Sequence, residues 1–235
     1  MSNETRYYSL ITYEKTGRMR FLSHLEIANV FDRAVRRARI PVEYSKGFTP
    51  RARIQFPMPL PVGAEGTDEL CAVELREYCE PPELLSALEL ELPMLPVSDV
   101  RVLERGSKSP FTELEAASYR AVPEFADTVD HDRLVATVEA VVERSELVIN
   151  RQTKSRVRKI DIRPHIYGLC AEKENAGLQM CLGFTQQTLV KPDEVLKVVA
   201  SHLGCSDESG WDRLVRTGLH FKRPNFDNKQ DAVCC

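Results

Sequence analysis

The chain has 235 residues, 43% of them hydrophobic and 29% charged, with a formal net charge of −3. That length suits one large domain or two small ones with a genuine core, and no apolar run approaches the roughly 18 residues needed to span a bilayer. Met1 to Arg6 carries no apolar stretch of secretory type, so the expectation is a cytoplasmic protein away from membranes. Seven cysteines, an odd number with no C-x-x-C spacing, argue against a disulfide framework and a zinc ribbon and suggest reduced thiols.

Residues 6–13 are rich in strand formers, and Lys15-Thr16-Gly17 reads as a turn. Ser23 and Glu26 then form a capping box in Ser-His-Leu-Glu. Leu25, Ala28, Phe31, Val35 and Ala38 recur at helical spacing as the predicted core stripe, and Pro41 closes that helix. An irregular strand pair is expected over 42–56 and a Pro/Gly loop over 57–66. In 70–76, Cys71, Val73 and Leu75 alternate with Ala72, Glu74 and Arg76, the pattern of a half-buried strand. Pro81 and Pro82 open a helix with Leu84, Leu85 and Leu88, and residues 98–104 close with a strand. After a linker at 105–113 the order recurs. A strand is expected at 116–122 and a helix at 130–143 with Asp130 as N-cap. Further strands fall near 146–150, 156–169 and 177–184, with a helix from Pro192 and a last strand at 213–221. Pairing around a turn at Asn175-Ala176 would set Cys170 opposite Cys181.

The predicted fold class is therefore α+β, with two tandem ferredoxin-like (βαββαβ) halves, the second with an inserted β-hairpin. The halves are 1–104 and 114–222, followed by a disordered tail at 223–235.

Charge is unevenly spread. Residues 1–60 hold 11 Lys+Arg against 5 Asp+Glu, residues 61–146 hold 7 against 20, and residues 147–235 hold 14 against 10. Such asymmetry marks either a polyanion-binding face or ordinary solvated surface. Arg33, Arg36 and Arg37 share one face of the first helix; Arg18, Arg20, Lys46, Arg51 and Arg53 lie on nearby segments, interleaved with Tyr44, Phe48 and Phe56. Guanidinium groups pair with phosphates and rings stack on bases, but the same residues equally suit a solvated helix face over core aromatics. A second basic run, Arg151 to Lys159, includes Arg158 and Lys159 and leads into Asp161 and Arg163. A hairpin tip of that kind can grip a phosphate backbone, and Asp161 can instead brace Arg163. His24, in the first helical turn, is either a general acid/base or a histidine packed at a helix start. His131, His165, His202 and His220 make no metal-ligand spacing, and no phosphate loop, dinucleotide fingerprint or nucleophile elbow occurs. The expectation is no metal and no cofactor.

The segments Phe21-Leu22-Ser23-His24-Leu25-Glu26, Arg33-Ala34-Val35-Arg36-Arg37-Ala38, Ile40-Pro41 and Tyr44 to Pro50 form a long ordered signature. Pro59 to Gly63 and Asp161 to Pro164 extend it. It resembles the radical-SAM-linked proteins of unknown function, a bacterial family encoded beside, or fused behind, a radical S-adenosylmethionine protein. Glu26, Thr49 and Ala52 depart from the usual Asp, Asn and Pro. The chain has no C-x-x-x-C-x-x-C cluster motif, so the resemblance implies a docking or substrate-binding partner of such an enzyme. Tandem ferredoxin-like halves also resemble CRISPR repeat-processing endoribonucleases, although Thr217-Gly218-Leu219-His220 lacks their glycine-rich loop. The expectation is a non-catalytic RNA-binding or substrate-presenting protein in RNA modification or maturation. A metal-independent ribonuclease centred on His24 and a protein-binding adaptor are the alternatives.

Overall fold

Alternating tyrosines and aliphatics make Tyr7–Lys15 an extended segment with two apolar faces, and it becomes the central strand, β1, of the first unit. The computed structural model describes residues 7–104, 108–152, 156–172, 177–184, 188–205 and 210–221. The tail at 223–235, part of the 105–113 linker and the Asn175-Ala176 turn lie outside those residues. The chain divides into two compact units, Met1–Leu114 and Glu115–Cys235. The fold is α+β, with four α-helices among the described residues.

In the first unit β1 is followed by α1 (His24–Arg37), β2 (Ile54–Gln55), β3 (Glu65–Leu75), α2 (Pro81–Glu91) and β4 (Val97–Glu104). β1 pairs antiparallel with β4 on one side and β3 on the other, and β2 pairs antiparallel with β3. The strand order is therefore β4–β1–β3–β2. Ile11 and Tyr13 of β1, Cys71, Val73 and Leu75 of β3, and Val97 and Val100 of β4 pack under Ile27, Phe31, Ala34, Val35, Leu84 and Leu88 of the two helices. The predicted stripe of α1 is rotated. Ile27 and Ala34 join Phe31 and Val35 inside, Ala28 and Ala38 are half-buried, and Leu25 is 70% exposed. Both sets have helical spacing, so periodicity alone does not choose between them.

β3 is also buried on both faces rather than one. Ala72 packs with Tyr8 and Leu10, with Phe111 against them, and Glu74 receives Arg53 at 3.3 Å and Gln55 at 3.3 Å. Burial of Cys71 pushes its thiol well above the usual range, with Glu69 adding to the shift, which leaves it unreactive.

The second unit contains β5 (Ala116–Pro123), α3 (His131–Val142), β6 (Val148–Gln152), β7 (Val157–Asp161), β8 (Ile166–Ala171), β9 (Leu178–Gly183), α4 (Pro192–Leu203) and β10 (Trp211–His220). Antiparallel pairing gives the order β10–β5–β9–β8, and β6 and β7 form a separate two-stranded hairpin. The single strand expected over 156–169 is two strands. Ile162 is fully buried, and a 3₁₀ turn at Arg163–His165, with Pro164 inside it, ends β7 before β8 begins. Cys181 pairs with Gly168, and Cys170 with Gln179. The expected Cys170–Cys181 pairing is thus two residues out of register, and the shift is already present at the Ala171–Leu178 pair beside the connection, so the pairing is not centred on Asn175-Ala176 as the expectation assumed. α4 ends where Gly204 adopts φ 72° and ψ 19°, the left-handed conformation that glycine reaches without steric cost.

Candidate functional site

The signature region folds around a short turn. Gly17, at φ 56°, opens a 3₁₀ turn over Gly17–Phe21. The Arg20 carbonyl accepts hydrogen bonds from Lys15 Nζ at 3.1 Å and from Gly63 N–H at 2.8 Å. Glu65 Oε1 accepts from Gly17 N–H at 3.2 Å and faces Arg20 Nη1 at 3.5 Å. The chain then enters α1 through the predicted capping box. Glu26 N–H donates to Ser23 Oγ at 3.4 Å, and Ser23 N–H donates to Glu26 Oε2 at 2.8 Å. Hydrogen bonds from the Ser23 side chain and backbone hold the exposed Glu26 carboxyl below its ordinary range.

A shallow, solvent-open cleft with room for little more than a water molecule lies beside this turn, lined by Tyr13, Lys15, His24, Phe56, Met58 and Glu69, among others. Lys15 and Glu69 are only 3% and 4% exposed. His24 stands edge-on to Phe56, ring centroids 5.2 Å apart, and its ring nitrogens have no hydrogen-bond partner among the described residues. The cleft thus brings an imidazole beside an ammonium and a carboxylate, an arrangement suited to holding a polar group or moving a proton. Sequence reasoning singled out His24 but missed Lys15, Glu65 and Glu69. No local pattern marks them, since their chain neighbours are Glu14 and Thr16, Ala64 and Gly66, and Asp68 and Leu70, mostly polar or small.

Most of the predicted basic residues prove to be braces. Arg36 donates to both oxygens of Asp32, at 3.0 and 3.3 Å, and to the Pro50 carbonyl at 2.7 Å, with its guanidinium 4.7 Å from the Tyr44 ring centroid. Asp32 also accepts from Ala52 N–H at 2.8 Å. Partial burial pushes its carboxyl up, but the bonds from Arg36 and Ala52 outweigh that and leave it below the usual range. Together they fasten the 44–52 loop to α1. Arg37 pairs with Glu91, Arg53 with Glu74 and Arg20 with Glu65, and Arg51 reaches Asn29 at 3.4 Å.

Arg18, Arg33 and Lys46 are exposed and have no such partner among the described residues. Arg33 continues an exposed helical line through Leu25 and Asn29. Phe48, presented after Gly47 at φ 137°, is fully exposed, and Phe21 is exposed with Arg20 over its ring at 4.7 Å. The 44–52 loop therefore presents an exposed cation and an exposed ring, Lys46 and Phe48, and it is fastened to the helix that carries Arg33.

In the second unit, Arg158 and Lys159 are exposed on β7. Arg163 is not part of that exposed set. Its guanidinium donates to the carbonyls of Val142, Arg144 and Ile166 at 2.7 to 3.1 Å, closing the C-terminal end of α3. Asp161 Oδ1 accepts from the backbone N–H groups of Leu147 and Arg163, at 2.8 and 3.0 Å, so it braces the chain rather than the guanidinium. Sequence reasoning also missed a polar pair on the sheet, Ser118 Oγ and His220 Nε2, 2.7 Å apart. Among the described residues no three His, Cys, Asp or Glu side chains are grouped to hold a metal ion, and no helix is long and apolar enough to cross a membrane.

One chain of a crystal structure of a Cbf5–Nop10–Gar1 complex is similar in fold, with TM-score 0.50 and 12% identity, over 90% of this chain and 48% of that one. The present chain therefore spans about half the length of that relative. An unknown protein from Galdieria sulphuraria aligns over 91% of this chain and 99% of its own at 17% identity, with TM-score 0.26. No curated protein matches significantly. Residues 9–192 match the family DUF2344, described as an uncharacterised protein conserved in bacteria. The chain belongs to that bacterial family.

Proposed function

We propose that the chain is a non-catalytic RNA-binding protein of the cytoplasm that presents substrate to a radical S-adenosylmethionine enzyme. The observation that carries the RNA part is the exposed Lys46 and Phe48 on the 44–52 loop, which Arg36 and Asp32 fasten to α1, the helix that carries exposed Arg33; Arg33 and Lys46 have no partner among the described residues. Free cations neutralise phosphates and bare rings stack on bases, the combination by which single strands are held without sequence preference. The enzyme partner rests on the resemblance of residues 21–63 and 161–164 to the radical-SAM-linked proteins. The proposal includes reading each unit as a ferredoxin-like half. The orders β4–β1–β3–β2 and β10–β5–β9–β8 support it, each placing the fourth, first, third and second strands of a βαββαβ unit side by side.

The test is binding of a labelled oligouridylate by fluorescence anisotropy across a salt series. The wild type should bind with an affinity that falls steeply with salt. Arg33→Ala with Lys46→Ala and Phe48→Ala should weaken it at least about tenfold, since one stacked base contributes about 1–3 kcal/mol. Arg144→Ala with Lys197→Ala, two exposed cations of the second unit, is the matched control; Arg133 is unsuitable because it bonds the Leu203 carbonyl at 2.7 Å. No binding at low salt, or equal losses in the two variants, would leave the protein-adaptor reading in place.

A second reading, a metal-independent endoribonuclease, is favoured by His24, whose ring nitrogens have no hydrogen-bond partner among the described residues, lining the same cleft as Lys15 and Glu69. RNA cleavage by the wild type that disappears in His24→Ala would establish it against the non-catalytic one.

A further inference from the structure

The β6–β7 hairpin is inserted between α3 and β8 and adds no strand to the main sheet of its unit. A two-stranded ribbon is marginal alone, and this one is held from one side by charged hydrogen bonds near its tip and by backbone bonds at its base. Arg151 makes a bidentate pair with Glu194 of α4, 2.7 Å on each side, and donates to the Leu189 carbonyl at 2.8 Å. Ile149 and Ile160, paired across the ribbon, are half-buried on the same side as Arg151. Asp161 fastens the end of β7 through the backbone of Leu147 and Arg163.

The other side is bare. The pairs Asn150–Lys159 and Gln152–Val157 and the end residue Val148 are all exposed, while Arg158, opposite Arg151 in the register, is exposed on the braced side. No Asp or Glu is exposed on either strand, since Asp161, the one carboxylate in 148–152 and 157–161, is half-buried and bonded. An element that the sheet does not need, braced from beneath and free of exposed negative charge above, has the construction of a recognition arm.

We infer that this hairpin is a second RNA contact, in which Lys159 neutralises a phosphate on the bare side with Asn150 and Gln152 donating to the sugar-phosphate backbone beside it, and Arg158 neutralises another from the ribbon's opposite side. The inference rests on the RNA-binding reading above and adds a site in the second unit to it. Phosphate contacts of this kind carry little sequence preference.

The experiment uses the full chain with Arg158→Gln and Lys159→Gln, both exposed side chains that leave the Arg151–Glu194 brace intact. Affinities for a labelled oligouridylate and a labelled RNA stem–loop are measured over a salt series, with poly-glutamate as competitor and thermal melting as the check on folding. The expected result is an unchanged melt, a loss of about tenfold in affinity for at least one RNA, and a log–log salt slope shallower by about 1.4, the share of two phosphate contacts on a single strand. A variant that binds both RNAs with the wild-type affinity and slope, while the Arg33/Lys46/Phe48 variant fails, overturns the hairpin contact and leaves the first-unit site standing. A wild type that binds neither RNA overturns the RNA reading itself. Competition by poly-glutamate as effective as that by RNA at equal charge also overturns the inference, marking the arm as a seat for an acidic protein. Stem–loop-only and oligouridylate-only losses both support it and separate duplex from single-strand contact.

Discussion

The two basic segments, 18–53 and 151–163, look alike as sequence, and both divide into cations that hold the fold and cations that face solvent. In the first, Arg20, Arg37 and Arg53 pair with Glu65, Glu91 and Glu74. All three carboxylates come from the acidic stretch that follows in the chain. In the second, Arg151 pairs with Glu194, and Arg163 takes the carbonyls at the end of a helix. Much of the charge asymmetry along the chain is therefore cancelled within each unit, between segments adjacent in space. What is left without a charge partner among the described residues, Arg18, Arg33, Arg39 and Lys46 in one unit and Arg158 and Lys159 in the other, is a smaller set than composition suggests. A lopsided charge profile becomes an argument about partners only after the intramolecular pairs are removed.

The comparison breaks most visibly at Arg163 and Arg158. Arg163→Ala strands carbonyls of α3 and empties a half-buried site, so urea unfolding should show a loss of about 3 kcal/mol, the scale of hydrogen bonds to a charged group. Arg158→Ala, on the exposed strand, should stay within about 0.5 kcal/mol of wild type. Equal losses would mean that the hairpin arginines are not divided as described. The same contrast is milder on α1. Arg36→Ala removes an exposed pair with Asp32 and a bond to Pro50 and should lower the urea midpoint by more than Arg33→Ala but less than Arg163→Ala. Arg33→Ala should cost less than about 0.5 kcal/mol, so its effect, where there is one, belongs to binding.

How much of this was readable beforehand follows from the range of the interactions. The capping box at Ser23 and Glu26, the prolines opening α2 and α4, and Asp130 at the start of α3 are local, each a contact within a few residues, and the sequence displays them directly. The side of α1 that turns inward depends on what β3 and α2 offer it, and Leu25 was misplaced for that reason. The division of the arginines was hidden too, because Arg37 finds Glu91, and Arg53 finds Glu74, across long stretches of chain. His24 was visible as a residue type at a helix start, whereas the cleft that gives it company is assembled from β1, β3 and the 56–60 loop. The Cys170 register failed because the residues that centre a hairpin are not fixed by a polar pair alone; the offset is uniform from Ala171–Leu178 to Gly168–Cys181.

The smallest expected effect sharpens the contrast from the neutral side. Where the first unit buries charges in pairs, the second holds Ser118 and His220 in a hydrogen bond, with Ser118 only 2% exposed. Burial pushes the His220 imidazole below its ordinary value of 6.5. A histidine depressed in the folded state binds its proton more readily once the chain unfolds, so protonation favours the unfolded state. Its contribution to stability is fully present above about pH 6.5, the unfolded value, and is lost as the pH falls from there through the lower folded value. Thermal melting of the wild type should therefore fall between pH 7 and pH 5 by more than that of His220→Gln, which retains a polar side chain but has no titration in that range. The Ser118→Ala variant should keep most of the slope, because burial rather than the hydroxyl sets the shift. Parallel curves for wild type and His220→Gln would remove His220 as a source of the pH dependence and place it with the carboxylates, whose own loss begins at lower pH.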